Sequence, residues 1–113
     1  MNISFTGIGQ ICATFQGKGL TEGHVVKMKD RGQVAPCGDG DSFCGVAMCC
    51  KDDACSVQVA GFATVGYSGT VPAVGWTTLC ANGTGGVKTA SAGGRSCLVV
   101  DADTSAKTVT ILL

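Results

Sequence analysis

Apolar and polar residues alternate with a period of two along most of this chain, and clusters of Gly, Asn and Asp interrupt the alternation at short intervals. A period of two puts successive side chains on opposite faces of a strand, so the pattern predicts half-buried β-strands joined by tight turns. The strands expected are residues 2–6, 11–16, 24–29, 33–36, 43–50, 54–65, 76–81, 86–89, 96–101 and 107–112. Asp30-Arg31-Gly32, Lys51-Asp52-Asp53, Asn82-Gly83, Gly93-Gly94 and Asp103-Thr104-Ser105 supply turns between them. Asn-Gly is the strongest hairpin signal of these, because both residues tolerate positive φ. The least regular stretch, residues 66–75, reads as a long exposed loop.

No window of twelve residues carries helical spacing, and each Gly inside a helix would cost roughly 1 kcal/mol. A short helical turn at Ser42-Phe43 is the one exception expected. Strands recurring every 8–12 residues or so point to an all-β fold, a small antiparallel β-barrel or sandwich with short hairpins and Gly-rich loops. The chain shows no internal repeat and no linker. With 113 residues it reads as a single β domain over 1–113, with 1–18 as a more mobile N-terminal arm or an edge strand.

Composition narrows the function classes. Charged residues are 14% of the chain, against an ordinary ~25%. Eight Lys/Arg balance eight Asp/Glu, for a formal net charge of zero. No run of like charge gives a footprint for nucleic acid or an anionic membrane, and near-zero charge favours association. The start of the chain lacks the basic and apolar regions of a signal peptide, and no apolar run approaches the ~18 residues that span a bilayer. The expected setting is therefore intracellular, where thiols stay reduced.

The candidate chemistry centres on eight cysteines, four of them between Cys44 and Cys55. Cys44-x4-Cys49 and Cys50-x4-Cys55 occur, but the tighter Cys-x-x-Cys knuckle of many structural zinc sites does not. Strand alternation puts Cys44, Val46, Met48 and Cys50 on one face and Gly45, Ala47 and Cys49 on the other. A disulfide between Cys50 and Cys55 is geometrically open across the turn, and air oxidation could close it. A catalytic thiol wants a cationic or histidine neighbour, and the chain has one histidine, His24. Packing is the reading preferred for the sulfur, because free Cys behaves as a small hydrophobe.

Gly17-x-Gly19 and Gly83-x-Gly85-Gly86 lack the strand–helix setting of a phosphate loop. Asp39-Gly40-Asp41 and Asp101-x-Asp103 lack the remaining oxygen ligands of a calcium loop. Both kinds of motif read as turns. Trp76 and Tyr67 flank the irregular loop, either as cover for the core or as aromatic anchors at a protein interface. No catalytic, cofactor-binding or metal site is expected, and no enzyme.

Phe43-Cys44-Gly45-Val46-Ala47, then Ala54-Cys55-Ser56-Val57-Gln58-Val59-Ala60-Gly61, a Gly-rich hairpin, and the terminal strand Lys107-Thr108-Val109-Thr110-Ile111-Leu112-Leu113 form a succession. It resembles a family of small phage and prophage structural proteins, encoded beside the major capsid gene and described as capsid decoration (cement) proteins or as a domain of unknown function. The resemblance covers roughly the last 95 residues of the sequence. It implies a small β-barrel without catalysis or cofactor, a virion location on the capsid exterior after synthesis in the bacterial cytoplasm, and the major capsid protein as partner. By analogy with three-fold points of a shell it also implies a homo-oligomer, a trimer. The N-terminal segment 1–16 and the loop 66–75 are the binding elements expected. Two other readings stay open: a small ligand- or metal-binding β-domain using the thiols of Cys44–Cys55, and a host- or carbohydrate-binding accessory domain using Trp76 and Tyr67.

Overall fold

The structure is a computed structural model, described here for residues 8–91 and 93–113. It is all-β, with ten strands in two sheets: β1 (Ile11–Gln16), β2 (Val25–Asp30), β3 (Gln33–Pro36), β4 (Gly45–Lys51), β5 (Ala54–Ala60), β6 (Phe62–Gly66), β7 (Gly75–Ala81), β8 (Val87–Thr89), β9 (Arg95–Asp103) and β10 (Thr108–Leu112). The strand expected over 2–6 lies outside the described residues. The others follow the alternation closely, with three differences. No helical turn forms at Ser42-Phe43. Asp41 shapes that bend instead, its carboxylate accepting the Gly38 N–H at 2.8 Å. For the same reason β4 begins at Gly45 and not at Phe43.

The third difference is the expected strand 54–65, which is two strands. The chain breaks at Gly61, whose φ is +93°. Here it leaves the first sheet and enters the second, passing so close to Gly9 that a Cβ on Gly61 would lie 2.6 Å from the Gly9 carbonyl. Only glycine fits both requirements.

The first sheet is a closed five-stranded barrel in the order β1-β3-β2-β4-β5. All its pairs are antiparallel except β1 with β3, which meet in parallel at Gln16 and Gln33. The second sheet runs β6-β10-β9-β7-β8, and a parallel bridge from Tyr67 to Val87 joins its two ends.

These two orders are the same order. Taking β6 to β10 as counterparts of β1 to β5, each ring reads first, fifth, fourth, second, third, closed by a parallel contact of first with third. The registers agree as well. Ala13 opposes Val57 as Ala63 opposes Ile111, and Phe15 opposes Cys55 as Val65 opposes Val109. Even a bulge recurs. The β4–β5 ladder skips Met48, between Ala47 and Cys49, and the β9–β10 ladder skips Val100, between Val99 and Asp101. The chain is thus an internal structural repeat, which corrects the reading of none. Along the matched positions of β1, β4 and β5 only Ala13/Ala63 and Thr14/Thr64 are identical, so the repeat lives in register and not in letters.

Two apolar clusters fill the halves. Val26, Val34, Ala47, Cys55 and Val57 occupy the barrel. The inner face of the second sheet holds Leu79, Val87, Cys97, Val99, Val109 and Ile111, and the same cluster takes in Val25, Phe43 and Val46 from the first half.

The close approach at Gly61 gives a test. Gly32 also has positive φ (+66°) but open space around it, so Gly32→Ala should lower the unfolding free energy by roughly 1–2 kcal/mol, the cost of a left-handed residue with a Cβ. Gly61→Ala must bear the backbone collision as well and should cost more. Urea unfolding of the two variants reads the difference, and equal midpoints would contradict the packing described.

Candidate functional site: the cysteines, the turns and the apolar faces

The bulge at Met48 decides where the clustered cysteines point. It shifts the alternation by one residue, so Cys50 opposes Cys55 on the face of Ala47 and Val57, while Cys49 opposes Ser56 on the outer face. The simple alternation, which grouped Cys50 with Val46 and Met48, is corrected there. Cys49 and Cys50 still point apart.

Cys50 and Cys55 are joined as a disulfide across the Lys51–Ala54 turn, in place of the reduced pair expected from cellular context. Directly opposed positions across a tight hairpin bring two Cβ atoms within bonding reach. The other six cysteines are free thiols. Cys80 and Cys97 are buried, Cys37 and Cys44 half-buried, and Cys12 and Cys49 exposed. Packing therefore accounts for Cys55, Cys80 and Cys97, and the expectation that all the sulfur is core fails at Cys12 and Cys49, which sit on the solvent face of β1 and β4.

Burial raises the thiol pKa of Cys37 from 9.0 to about 11, with the Asp41 carboxylate adding to the effect. Burial also pushes Cys44 and Cys97 up, against the pull of Arg95. All three are held as neutral thiols, the opposite of what a thiolate nucleophile or metal ligand needs. Among the described residues no three His, Cys, Asp or Glu side chains come together as a metal cluster.

The acidic motifs are structural. Asp41 accepts a hydrogen bond from Lys27 Nζ at 2.6 Å, which with the Gly38 N–H holds its carboxyl below the usual range. Asp39 pairs with Lys88 across the two halves at 2.7 Å, and the Gly40 N–H donates to Ala81 O at 2.8 Å. Asp103 accepts the N–H groups of Ser105 and Ala106. The glycine motifs are turns as well. A Cβ on Gly17 would meet Leu20 at 2.6 Å and the Val34 carbonyl at 3.0 Å, and the Asn82 side chain accepts the N–H groups of Thr84 and Gly86. His24 lines a cavity of about 280 Å³ at the junction of the halves, with Cys37, Thr84 and Gly85.

The two aromatic candidates part company. Tyr67 is buried, in the cluster with Val87, so it is core and offers no anchor on the surface. Trp76 is 70% exposed, and Val74 two residues before it 74%. The irregular loop itself covers residues 68–74, exposed at most positions and pinned by the buried Pro72. Ile8 and Ile11, near the start of the described chain, are also more than half exposed. Sequence reasoning named Trp76 but missed the row it belongs to. Trp76 opposes Leu98, Leu98 opposes Leu112, and Leu112 opposes Phe62, which makes an apolar row across the outer face of four strands.

No known protein-family model matches this chain, and no characterised protein shows significant similarity to it.

Two measurements check the thiol assignments. In native protein a disulfide-forming chromogenic reagent should titrate Cys12 and Cys49 at once; denaturation without reductant should bring the total to six, and reduction to eight. Eight thiols without reductant would show that Cys50 and Cys55 are not joined. Stability should also fall as pH rises. Cys37 keeps its proton in the folded state up to about pH 11, whereas the unfolded chain releases it near the ordinary value, so between the two the unfolded state binds fewer protons and gains stability relative to the fold. The urea midpoint should therefore be lower at pH 10.5 than at pH 8, and Cys37→Ala should flatten part of that slope. An unchanged midpoint would overturn the assignment.

Proposed function

We propose that this protein is a virion structural protein of a phage or prophage, a decoration protein that binds and stabilises the assembled head shell. The observation that carries the reading is the resemblance of the Gly45-Val46-Ala47, Val57–Gly61 and Lys107–Leu113 segments to that family. On the structural side, the reading is supported by an all-β scaffold whose acidic and glycine motifs are engaged in turns and inter-half ties, and which presents apolar side chains at Ile8, Ile11, Val71, Val74 and Trp76. Ile8, Ile11, Val71 and Val74 lie on the segments expected to bind, the N-terminal segment 1–16 and the loop 66–75, and Trp76 directly follows the loop. A shell repeats its sites, so contacts that are weak singly become strong together. The partner is the major capsid protein, and the chain works as a homo-oligomer, a trimer at shell three-fold points.

The exposed Trp76 also favours a second reading, a carbohydrate- or host-binding accessory domain, in which Trp76→Ala abolishes glycan binding. Among the described residues no helix is long and apolar enough to cross a membrane.

Mass spectrometry of purified virions from a phage carrying the gene tests the first reading. The protein should be present in many copies per particle, and heads from a deletion phage should rupture at lower temperature, with full-length protein added back restoring the original rupture temperature. Its absence from the virion would overturn the proposal.

A further inference from the structure

Because the two halves match strand for strand, corresponding positions can be compared for what covers them. In the first half an outward row runs Cys12–Gln58–Val46–Val25 across β1, β5, β4 and β2. The second half covers most of it. Val25 and Val46 are 1% and 3% exposed and belong to the same cluster as the inner face of the second sheet. The Val25 N–H donates to Gly85 O in the β7–β8 turn at 3.0 Å. Gln58, 2% exposed, donates Nε2 to the carbonyls of Ala60 and Phe62.

The corresponding row of the second half is Phe62–Leu112–Leu98–Trp76. It is apolar throughout, and its β7 end has no cover. Trp76, the counterpart of Val25, is 70% exposed where Val25 is 1%. The receiving side shows the reverse asymmetry. In the second half the seam of Tyr67 beside Val87 lies within the cluster that holds Val25. Its counterpart in the first barrel, the seam of Gln16 beside Gln33, borders an open cavity of about 480 Å³ with Val34, Ala35 and Pro36 on its wall and Lys18, Lys29 and Asp53 around it.

We infer that the Trp76–Leu98 face docks onto the first barrel of a second copy of this chain, at the β1–β3 seam, as Val25 and Val46 dock onto the second sheet within one copy. One end of each chain carries an apolar row that is bare at Trp76 and half-buried at Leu98, the other an open seam, and within one chain the matching Val25 already meets the second half beside its own seam, through the core cluster and the Gly85 carbonyl. A net charge of zero leaves no like-charge barrier between copies. The contact is head-to-tail, pairing two different surfaces, so it closes into a ring where the rotation permits. It does not depend on the capsid reading, because both surfaces belong to this chain.

Light scattering coupled to size exclusion tests it on the full-length protein. Wild type should elute at more than the mass of one chain. Trp76→Glu, at a side chain the fold does not bury, should elute at the mass of one chain with unchanged circular dichroism, and Ala35→Arg, which fills the seam cavity, should do the same. Mixed, the two variants should form a one-to-one pair, since each keeps one intact surface. A monomeric wild type, or a Trp76→Glu protein that stays oligomeric, would overturn the proposal. So would Ala35→Arg protein that still self-associates, because that outcome marks a two-fold contact of like faces. If Trp76→Glu fails to fold, Val74→Glu probes the same surface at a position 74% exposed.

Discussion

Val25 and Val46 point outward from a closed barrel and yet are buried core residues, and the arrangement of the two halves depends on that fact. Along β2 and β4 consecutive residues are buried on both faces: Val26 and Ala47 into the barrel, Val25 and Val46 into the second sheet. Phe43 joins them from the loop before β4, with the Arg95 guanidinium 5.9 Å above its ring and donating to Cys44 O at 3.0 Å. Fully burying a side chain of this kind contributes roughly 1.5–3 kcal/mol. An exposed ion pair such as Asp39–Lys88 contributes about 0–1 kcal/mol. The apolar contact is therefore what holds the halves together, with polar ties such as Asp39–Lys88 and Arg95–Cys44 around it. A bridging cluster of this kind also adds to the modest barrel cluster of the first half.

The strands were legible in the sequence because one-sided burial writes itself as alternation, and it did so most plainly at β6 and β10. Where a strand is covered on both faces the signal becomes a short apolar run, His24-Val25-Val26 or Gly45-Val46-Ala47, which marks a strand without saying what covers its outer side. The break at Gly61 was hidden in the same way, since the apolar content runs on through Val59, Ala60 and Phe62 while the backbone reverses sheets at a single positive φ. The repeat was invisible for a different reason. What the halves share is pairing, burial and one bulge, and these tolerate Val for Ala, Ile for Val or Cys for Val. A search for matching letters finds Ala-Thr twice and little else.

The cysteines show how the repeat interprets single residues. Cys50 and Cys55 stand where the second half has Ala102 and Val109, a pair packed against the core cluster. Cys97 stands where the first half has Gly45. At these places sulfur occupies a position that demands a small apolar group, and the disulfide joins two side chains that would touch in any case. Cys49, by contrast, stands opposite Ser56 as Asp101 stands opposite Thr110, a solvent-facing pair where polarity is ordinary. A single physical label for all eight was bound to fail, because adjacent strand residues face opposite sides and the bulge at Met48 decides that Cys50 is the one facing in.

Stacked repeats bury the face of one unit against the next, and soluble arrays end on units whose outer face is polar. The first half of this chain behaves as an inner unit, with its outer row covered. The second half does not have the surface of a capping unit. Its outer row reads Phe, Leu, Leu, Trp where a cap would carry charge, against Cys, Gln, Val, Val at the matching positions of the first half. Trp is a side chain suited to a contact, being large, with few rotamers to freeze and a polar edge that tolerates water before association. A protein with so few charges gains nothing in solubility by leaving Trp76 bare, and that is the physical ground of the self-association proposed above.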